Sequence, residues 1–410
     1  MALGTAVLTN EYAVDEIKVC GIIFKDTDSQ EMERINMSEC IRKLKSKINF
    51  FQTIPCTIKG KVIIVNTILY PIVFYMAHTF LPSAIHTALI KKLAFSLIYG
   101  EGKKELIKRQ FMELAKEKGG MGLYELKSYC EATYLQDNLC LPIQESFEHQ
   151  RLDLFLYFFS FWTRNLFPHT YTKNSAHCFK LLDQYKKAQT VLAKIDEKSK
   201  DILKISLVST NQLYQFLIGE GDLLPVKIHT NKESEIEKTR LIKIWNNYKV
   251  SSQNSSFMWK TAMNGIVDGA TLLKWKIQGV KTTCNFCIKP ETETLVHVFG
   301  SCSSLQETRN IMLESVKKLG IHINLDKNNK QILFCLGLTP NDEGNTINKN
   351  VFEYVAECNR KIWNSRHEIV FEKADRENKI IEIERKIKAL SDFFYNERIV
   401  QENNLKCKGR

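Results

Sequence analysis

Apolar side chains recur at helical spacing over much of the chain. Ile41, Leu44, Ile48 and Phe51 lie three or four positions apart, and Ser38 before them suits a helix start. Pro55 predicts the end of this first helix. The same pattern predicts further helices over residues 58–76, 81–99, 123–141, 147–167, 306–319 and 351–378. The expected fold class is therefore mainly α.

Three segments depart from this pattern. Residues 15–25 predict a strand with Gly21 at a bulge, which either pairs with a later segment or is the remnant of a larger sheet. Residues 103–118 predict a basic helix or hairpin. Residues 119–123, Gly-Gly-Met-Gly-Leu, predict a tight turn in which at least one glycine has a positive φ.

Composition describes an ordinary globular protein. The chain has 410 residues, 44% hydrophobic and 25% charged, which is enough for several domains with sizeable cores. Residues 1–10 show no secretory leader, and the 12 cysteines form no dense framework. We therefore expect an intracellular protein of the nucleus or cytoplasm.

The longest apolar run, residues 62–81, approaches the length of a membrane span. Asn66, Thr67 and His78 interrupt it, and Pro71 would break a helix in the middle. We predict a kinked helix buried in protein, and no membrane contact.

Positive charge is concentrated near the start. The net charge is +12, and residues 31–127 hold 16 Lys and Arg against 8 Glu and no Asp, so they contribute +8. Such asymmetry suits a surface facing a nucleic-acid backbone, although a solvated helix face remains an alternative. The basic candidates for phosphate contacts are Lys43, Lys45, Lys47, Lys59, Lys61, Lys103, Lys104, Lys108 and Arg109.

The most specific chemistry lies in residues 284–302, CNFCIKPETETLVHVFGSC. Cys284, Cys287, His297 and Cys302 have the spacing C-x2-C-x9-H-x4-C, whose thiolates and imidazole suit a tetrahedral Zn²⁺ site. Four protein ligands leave no place for water, so this zinc would be structural. Reduced cysteines also pack well in cores, so a chance cluster is the alternative.

Aromatic residues allow two interpretations. Residues 147–167 are crowded with Phe, Tyr and Trp, which suits a buried helix better than a surface for stacking bases. Trp245, Trp259 and Trp275, with Lys260, Lys274 and Lys276 among them, suit either single-stranded nucleic acid or internal packing.

Several segments together resemble the C-terminal part of non-LTR (LINE-type) retrotransposon reverse transcriptases. Residues 17–24 (IKVCGIIF) are similar to the strand that closes the palm, with Cys20 where leucine is usual. Residues 57–66 (TIKGKVIIVN) and the prolines after them resemble the thumb, and 118–123 (KGGMGL) the turn that follows it. Residues 284–302 resemble the family's zinc-binding segment, and 361–366 (KIWNSR) its downstream "IW-x-x-R" helix.

The resemblance covers residues 15–370 and implies a division into five parts. These are a palm-strand remnant (1–30), a basic helical thumb (31–127), a helical linker (128–250), a zinc-binding module (251–310) and C-terminal helices (311–410). Polymerisation in this family needs carboxylates that hold Mg²⁺, including a Tyr/Phe-x-Asp-Asp turn. The sequence contains no Asp-Asp dipeptide. We therefore expect no catalytic residue and no activity of this chain alone.

Three functions remain in competition. The first is a nucleic-acid-binding module that holds RNA or DNA for a polymerase, with zinc as a structural cofactor. The second is part of an active RNA-directed DNA polymerase whose catalytic domain is encoded upstream. The third is a structural or interaction protein, with helix 147–167 and a stripe at helical spacing as partner surfaces. That stripe consists of Ile380, Ile383, Ile387, Leu390 and Phe394.

Overall fold

The structure, a computed structural model, describes residues 16–25, 29–140, 208–219, 235–247, 249–279, 281–320, 327–338 and 349–408. These residues form a mainly α fold with one two-stranded sheet, which confirms the predicted fold class. The predicted helix 147–167 lies outside the described residues. In chain order, the helices are α1 (Ser29–Gln52), α2 (Ile58–Ile64), α3 (Tyr70–Ala77), α4 (Ala84–Tyr99), α5 (Arg109–Glu113), α6 (Leu126–Leu135), α7 (Thr210–Ile218), α8 (Glu235–Trp245), α9 (Ser252–Ala262), α10 (Gly269–Lys274), α11 (Gln306–Lys318), α12 (Lys327–Leu336), α13 (Lys349–Phe371) and α14 (Arg376–Lys408).

The chain divides into two compact units. The N-terminal unit comprises residues 1–56, 61–103 and 123–221, and the C-terminal unit comprises residues 57–60, 104–122 and 222–410. The five-part division implied by the resemblance stays a prediction.

The sheet of the N-terminal unit is a β-hairpin. Strands β1 (Glu16–Val19) and β2 (Ile22–Lys25) pair antiparallel. Cys20 and Gly21 between them have φ values of 49° and 84°. Two consecutive residues with positive φ form a tight two-residue loop. The prediction of a single strand with a bulge at Gly21 is therefore wrong, because these two residues reverse the chain.

Helix α1 carries this hairpin. Buried Asn36 donates to the carbonyl of Ile23 and accepts from its N–H, both at 2.8 Å. The helix begins at Ser29, so Ser38 is not its start; the Ser38 hydroxyl instead donates to the Arg34 carbonyl one turn earlier. The spacing of apolar residues alone did not predict the first two turns of α1. The predicted buried face is confirmed at Ile41, Leu44 and Ile48, whereas Phe51 is half-buried.

Helices α2 and α3 form one continuous helical segment, Ile58–Ala77, joined by a π-helical turn at Val65–Leu69. The helix predicted over residues 58–76 is therefore confirmed, and Pro71 does not end it. Pro71 occupies the first turn of α3, and the wider π turn before it accommodates a residue without an N–H.

The segment Ile58–Ala77 is long and apolar enough to cross a membrane, judged by length and composition alone. An 18-residue window has a mean hydropathy of 1.6, and 44% of that window is buried inside the fold. Leu69, Tyr70, Val73 and Phe74 are among its buried side chains. They belong to the core of the N-terminal unit, which favours the predicted buried helix.

The glycine turn of the C-terminal unit has the predicted conformation. Gly119 and Gly122 have φ values of 93° and 68°. A Cβ at Gly120 would lie 1.9 Å from the Leu114 carbonyl oxygen, so a larger residue does not fit. Trp259 of α9 is completely buried and donates its indole N–H to the Gly119 carbonyl at 2.9 Å. The turn is therefore anchored on α9.

Two further segments, 103–118 and 351–378, differ from the elements predicted for them. Residues 103–118 contain only the short α5 and a 3₁₀ turn, Lys116–Lys118. Helix α13 ends at Phe371, because Lys373 adopts a positive φ of 54°. Asp375 then caps α14 by accepting from the N–H of Asn378 at 2.9 Å. The prediction of one helix over 351–378 is wrong for this reason.

The stripe on α14 is used within the C-terminal unit. Ile383 and Ile387 are completely buried, and α14 packs against α11 and α13. The Phe394 ring lies 5.8 Å from that of Tyr354 on α13. The centre of the proposed partner surface is therefore covered by this chain's own helices.

Candidate metal centre

The side chains of Cys284, Cys287, His297 and Cys302 converge in the C-terminal unit. Their ligand atoms all lie within 4.8 Å of one another, and all four residues are buried. The Sγ atom of Cys302 lies 3.9 Å from that of Cys284 and 3.4 Å from that of Cys287. A tetrahedral site with metal–sulfur bonds of about 2.3 Å has sulfur–sulfur edges of about 3.8 Å. These separations fit one metal ion.

The first two cysteines lie on a short knuckle. Its base is closed by an isolated antiparallel bridge between Thr283 and Thr292, and the Cys284 N–H donates to the Glu291 carbonyl at 2.7 Å. The backbone N–H groups of Phe286 and Cys287 point at the Cys284 sulfur and favour its thiolate form. The C-x2-C spacing thus lets one turn supply two sulfurs.

The other two ligands flank a π-helical turn, His297–Ser301. The Cys302 N–H donates to the His297 carbonyl at 2.6 Å, which brings residues five apart together. The imidazole Nε2 lies 3.2 Å from the Cys287 sulfur, while Nδ1 lies 3.1 Å from a Glu291 carboxylate oxygen. A carboxylate on Nδ1 orients the ring so that Nε2 faces the metal.

Apolar residues close the site from water. Phe286, Leu295, Val298 and Phe299 are all at most 2% exposed. With four protein ligands and this shell, the geometry provides no coordination position for a substrate. The cluster can hold a structural metal ion and is not arranged for metal catalysis.

The three thiols differ in acidity because they share hydrogen bonds. A hydrogen bond from Cys302 lowers the pKa of Cys284 to about 5. The same hydrogen bond raises the pKa of Cys302, and burial raises that of Cys287. At neutral pH one thiolate is present before a metal binds, and two thiols must still lose their protons.

Two buried carboxylates attach the knuckle to neighbouring helices. Glu293 is completely buried and forms an ion pair with Arg366 of α13 at 2.5 Å. It also accepts from the Asn285 side chain at 3.0 Å and from the Gly269 N–H at 3.1 Å. A charged carboxylate in a dry interior needs such donors. Glu293 therefore joins the metal loop to both α10 and α13.

Asp268 makes a similar connection at the start of α10. One carboxylate oxygen caps the helix through the Thr271 N–H at 2.8 Å, and the other accepts from the Leu295 N–H at 3.2 Å. Sequence reasoning missed this residue, although Asp followed by a helix is a capping signal. It also missed the partnership of Glu293 and Arg366, which lie 73 positions apart.

The predicted phosphate contacts of the N-terminal unit lie in different environments. Lys45 and Lys47 of α1, and also Lys103, are exposed. Lys43 is half-buried and lies 3.9 Å from Glu39. The Lys61 ammonium donates to the Ile98 carbonyl at 3.4 Å, and burial lowers its pKa. Lys61 is therefore less available to a phosphate than the exposed lysines.

The remaining predicted contacts belong to the C-terminal unit. Lys59 is half-buried and donates to the Trp245 carbonyl at 3.1 Å. Burial lowers the pKa of Lys59, and the positive charge of Lys116 lowers it further. Lys108 is exposed. Arg109 forms an ion pair with Glu105 at 2.6 Å. The Lys104 ammonium lies 4.2 Å from the centre of the Trp275 ring.

The tryptophans mainly serve packing. Trp245 and Trp259 are at most 3% exposed, so neither can stack on a base. Trp275 is half-buried and contacts Lys104. Of the two interpretations, internal packing is therefore the one that holds for Trp245 and Trp259.

No protein-family model matches the chain, and no curated protein sequence does.

Proposed function

We propose that this chain is a zinc-containing, nucleic-acid-binding part of a LINE-type reverse transcriptase, without polymerase activity of its own. The observation that carries the proposal is the convergence of Cys284, Cys287, His297 and Cys302 on one point. Three thiols and one imidazole are the ligands of a structural zinc site. Their order and spacing are those of the zinc-binding segment that the sequence resembles.

Contacts made by the segments that carry the resemblance support the proposal. Glu293 of the zinc-binding segment pairs with Arg366 of the "IW-x-x-R" helix. The Trp363 ring of the same helix lies 6.1 Å from Phe299. In the N-terminal unit, the Asn66 side chain of the thumb-like segment accepts from the Tyr124 N–H at 3.1 Å. The zinc-binding segment and the "IW-x-x-R" helix are thus held together by residues that define the resemblance, and Asn66 contacts the residue that follows the KGGMGL turn.

The proposed nucleic-acid contacts rest on exposed lysines. Lys45 and Lys47 of α1 have accessible ammonium groups and come from a region that carries an excess of eight positive charges. Phosphate contacts of this kind are independent of base sequence and weaken steeply with salt. The proposed partner is therefore RNA or DNA, bound through its backbone.

The first prediction concerns these lysines. We expect K45E/K47E to weaken binding to a single-stranded oligonucleotide, and to reduce the slope of log affinity against log salt by about 0.7 for each phosphate that is no longer neutralised. Fluorescence anisotropy between roughly 50 and 200 mM salt measures both quantities. R385E/K388E, on the exposed face of α14, is the matched control with the same charge change. Equal affinity and slope for both double variants would contradict the assignment.

The second prediction concerns pH. Zinc must displace protons from Cys287 and Cys302, whose pKa values are raised, whereas Cys284 is already ionised. Zinc affinity should therefore rise with pH, by about two log units per pH unit near neutrality, and fall as acid restores the protons. Competition titrations at pH 6.5 and 7.5 measure this dependence. An affinity that is the same at both values would contradict the predicted thiol ligands.

A further inference from the structure

Arg309 lies in the first turns of α11, directly after the last cysteine of the cluster. It is 4% exposed. One guanidinium nitrogen, Nη2, donates to the Cys302 carbonyl at 2.6 Å and to the Gln306 side-chain oxygen at 2.9 Å. The other terminal nitrogen, Nη1, is buried and has no hydrogen-bond partner in the described part of the chain. Both acceptors that Nη2 reaches are neutral.

An arginine side chain keeps its charge in proteins, and a buried charge needs a counter-charge. Among the described residues, no carboxylate forms an ion pair with Arg309. Burial lowers the pKa of its guanidinium, and the groups acting in the opposite direction are all thiols, those of Cys302, Cys335 and Cys287. Two of these three residues belong to the cluster.

The metal-loaded cluster supplies the negative counter-charge that Arg309 lacks among the described residues. Three thiolates, one neutral imidazole and a divalent ion have a net charge of −3 + 2, or −1. This negative charge is enclosed by apolar side chains, where solvent screens it poorly. Glu291, which contacts the imidazole, is largely exposed and screened by water, and a single buried cation beside the site brings the sum over the buried groups to zero.

We propose that Arg309 is the counter-charge of the zinc site, a positioning residue that favours the three-thiolate, metal-bound form. The proposal rests on the zinc site of the proposed function. Arg309 contacts no metal and acts through Cys302 and the field at the sulfurs. A residue that only packed α11 against the knuckle would not need a charge.

Zinc dissociation constants of the full chain, measured by competition with a chromophoric chelator, test the proposal. We expect R309M, which keeps the bulk and removes the charge, to weaken zinc binding by about 10- to 100-fold. R309K should retain most of the affinity. The control K289M removes a positive charge from the exposed part of the same loop and should change affinity by less than about threefold, because water screens it.

A second background separates charge from packing. C287H replaces one thiolate with a neutral imidazole, so the loaded site carries no net charge. In this background we expect the loss of zinc affinity caused by R309M to be less than about a third of the loss in the native site. An equal loss in both backgrounds, or R309K binding as weakly as R309M, would overturn the counter-charge role. If the unaltered chain binds zinc and R309M binds it with the same affinity, the counter-charge role is overturned and the zinc site stands. If the unaltered chain does not bind zinc, the proposed zinc site is overturned as well.

Discussion

Cys302→Ser should lose zinc and destabilise the C-terminal unit more than any other single change in the metal loop. Cys302 is completely buried and its sulfur lies within 3.9 Å of both other cysteine sulfurs. A hydroxyl is a poor replacement for a thiolate ligand, and structural zinc contributes roughly 10 kcal/mol or more of binding free energy to folding. We expect the variant to contain less than about one tenth of the zinc of the unaltered chain after dialysis.

Two cysteine controls make this result specific. Cys335→Ala alters a buried thiol outside the cluster, and Cys56→Ser alters an exposed one. Both should retain zinc. A chelator should lower the thermal unfolding temperature of the controls and leave that of Cys302→Ser unchanged. Stoichiometric zinc in Cys302→Ser, with an unchanged unfolding temperature, would contradict the assignment of the ligands.

Breaking the ion pair between Glu293 and Arg366 should give the second largest effect. Both side chains are at most 6% exposed, and they join the metal loop to α13. Removing one partner leaves an uncompensated buried charge, which costs about 3–5 kcal/mol of the free energy of unfolding. We therefore expect Glu293→Gln and Arg366→Met each to lower that free energy by about this amount in urea titrations.

The double variant E293Q/R366M tests the cause. With neither charge buried, it should recover part of the loss, so the two effects should not add. Arg34→Met is the control, because its pair with Glu31 is exposed and screened by water, so this change should lower stability far less than either buried variant. Single variants as stable as this control, or a strictly additive double variant, would contradict the role given to the pair.

The sequence predicted the metal cluster because its ligands are local. All four residues lie within residues 284–302, so one knuckle and one π turn suffice to bring them together. The α1 face was predictable for the same reason, since helical periodicity is a short-range property. Contacts between residues that are far apart in sequence were not predictable in this way. Glu293 and Arg366, for example, meet only after α13 has packed on the metal loop.

The wrong prediction for residues 15–25 has a local physical cause. Cys20 adopts a positive φ, which is uncommon for a residue other than glycine. The sequence of this segment therefore does not predict a hairpin. The helix predicted over residues 58–76 continues through Pro71, because this proline lies in the first turn of α3 directly after a π turn. For Trp245 and Trp259 the sequence left base stacking and internal packing open, and both residues are buried. Burial of this kind follows from tertiary packing, which composition does not reveal.

Zinc-edge X-ray absorption of the purified chain tests the central claim most directly. The account predicts one zinc per chain with three sulfur ligands at about 2.3 Å and one nitrogen ligand at about 2.0 Å. A chain that binds no zinc, or a zinc ion coordinated mainly by oxygen, would contradict it.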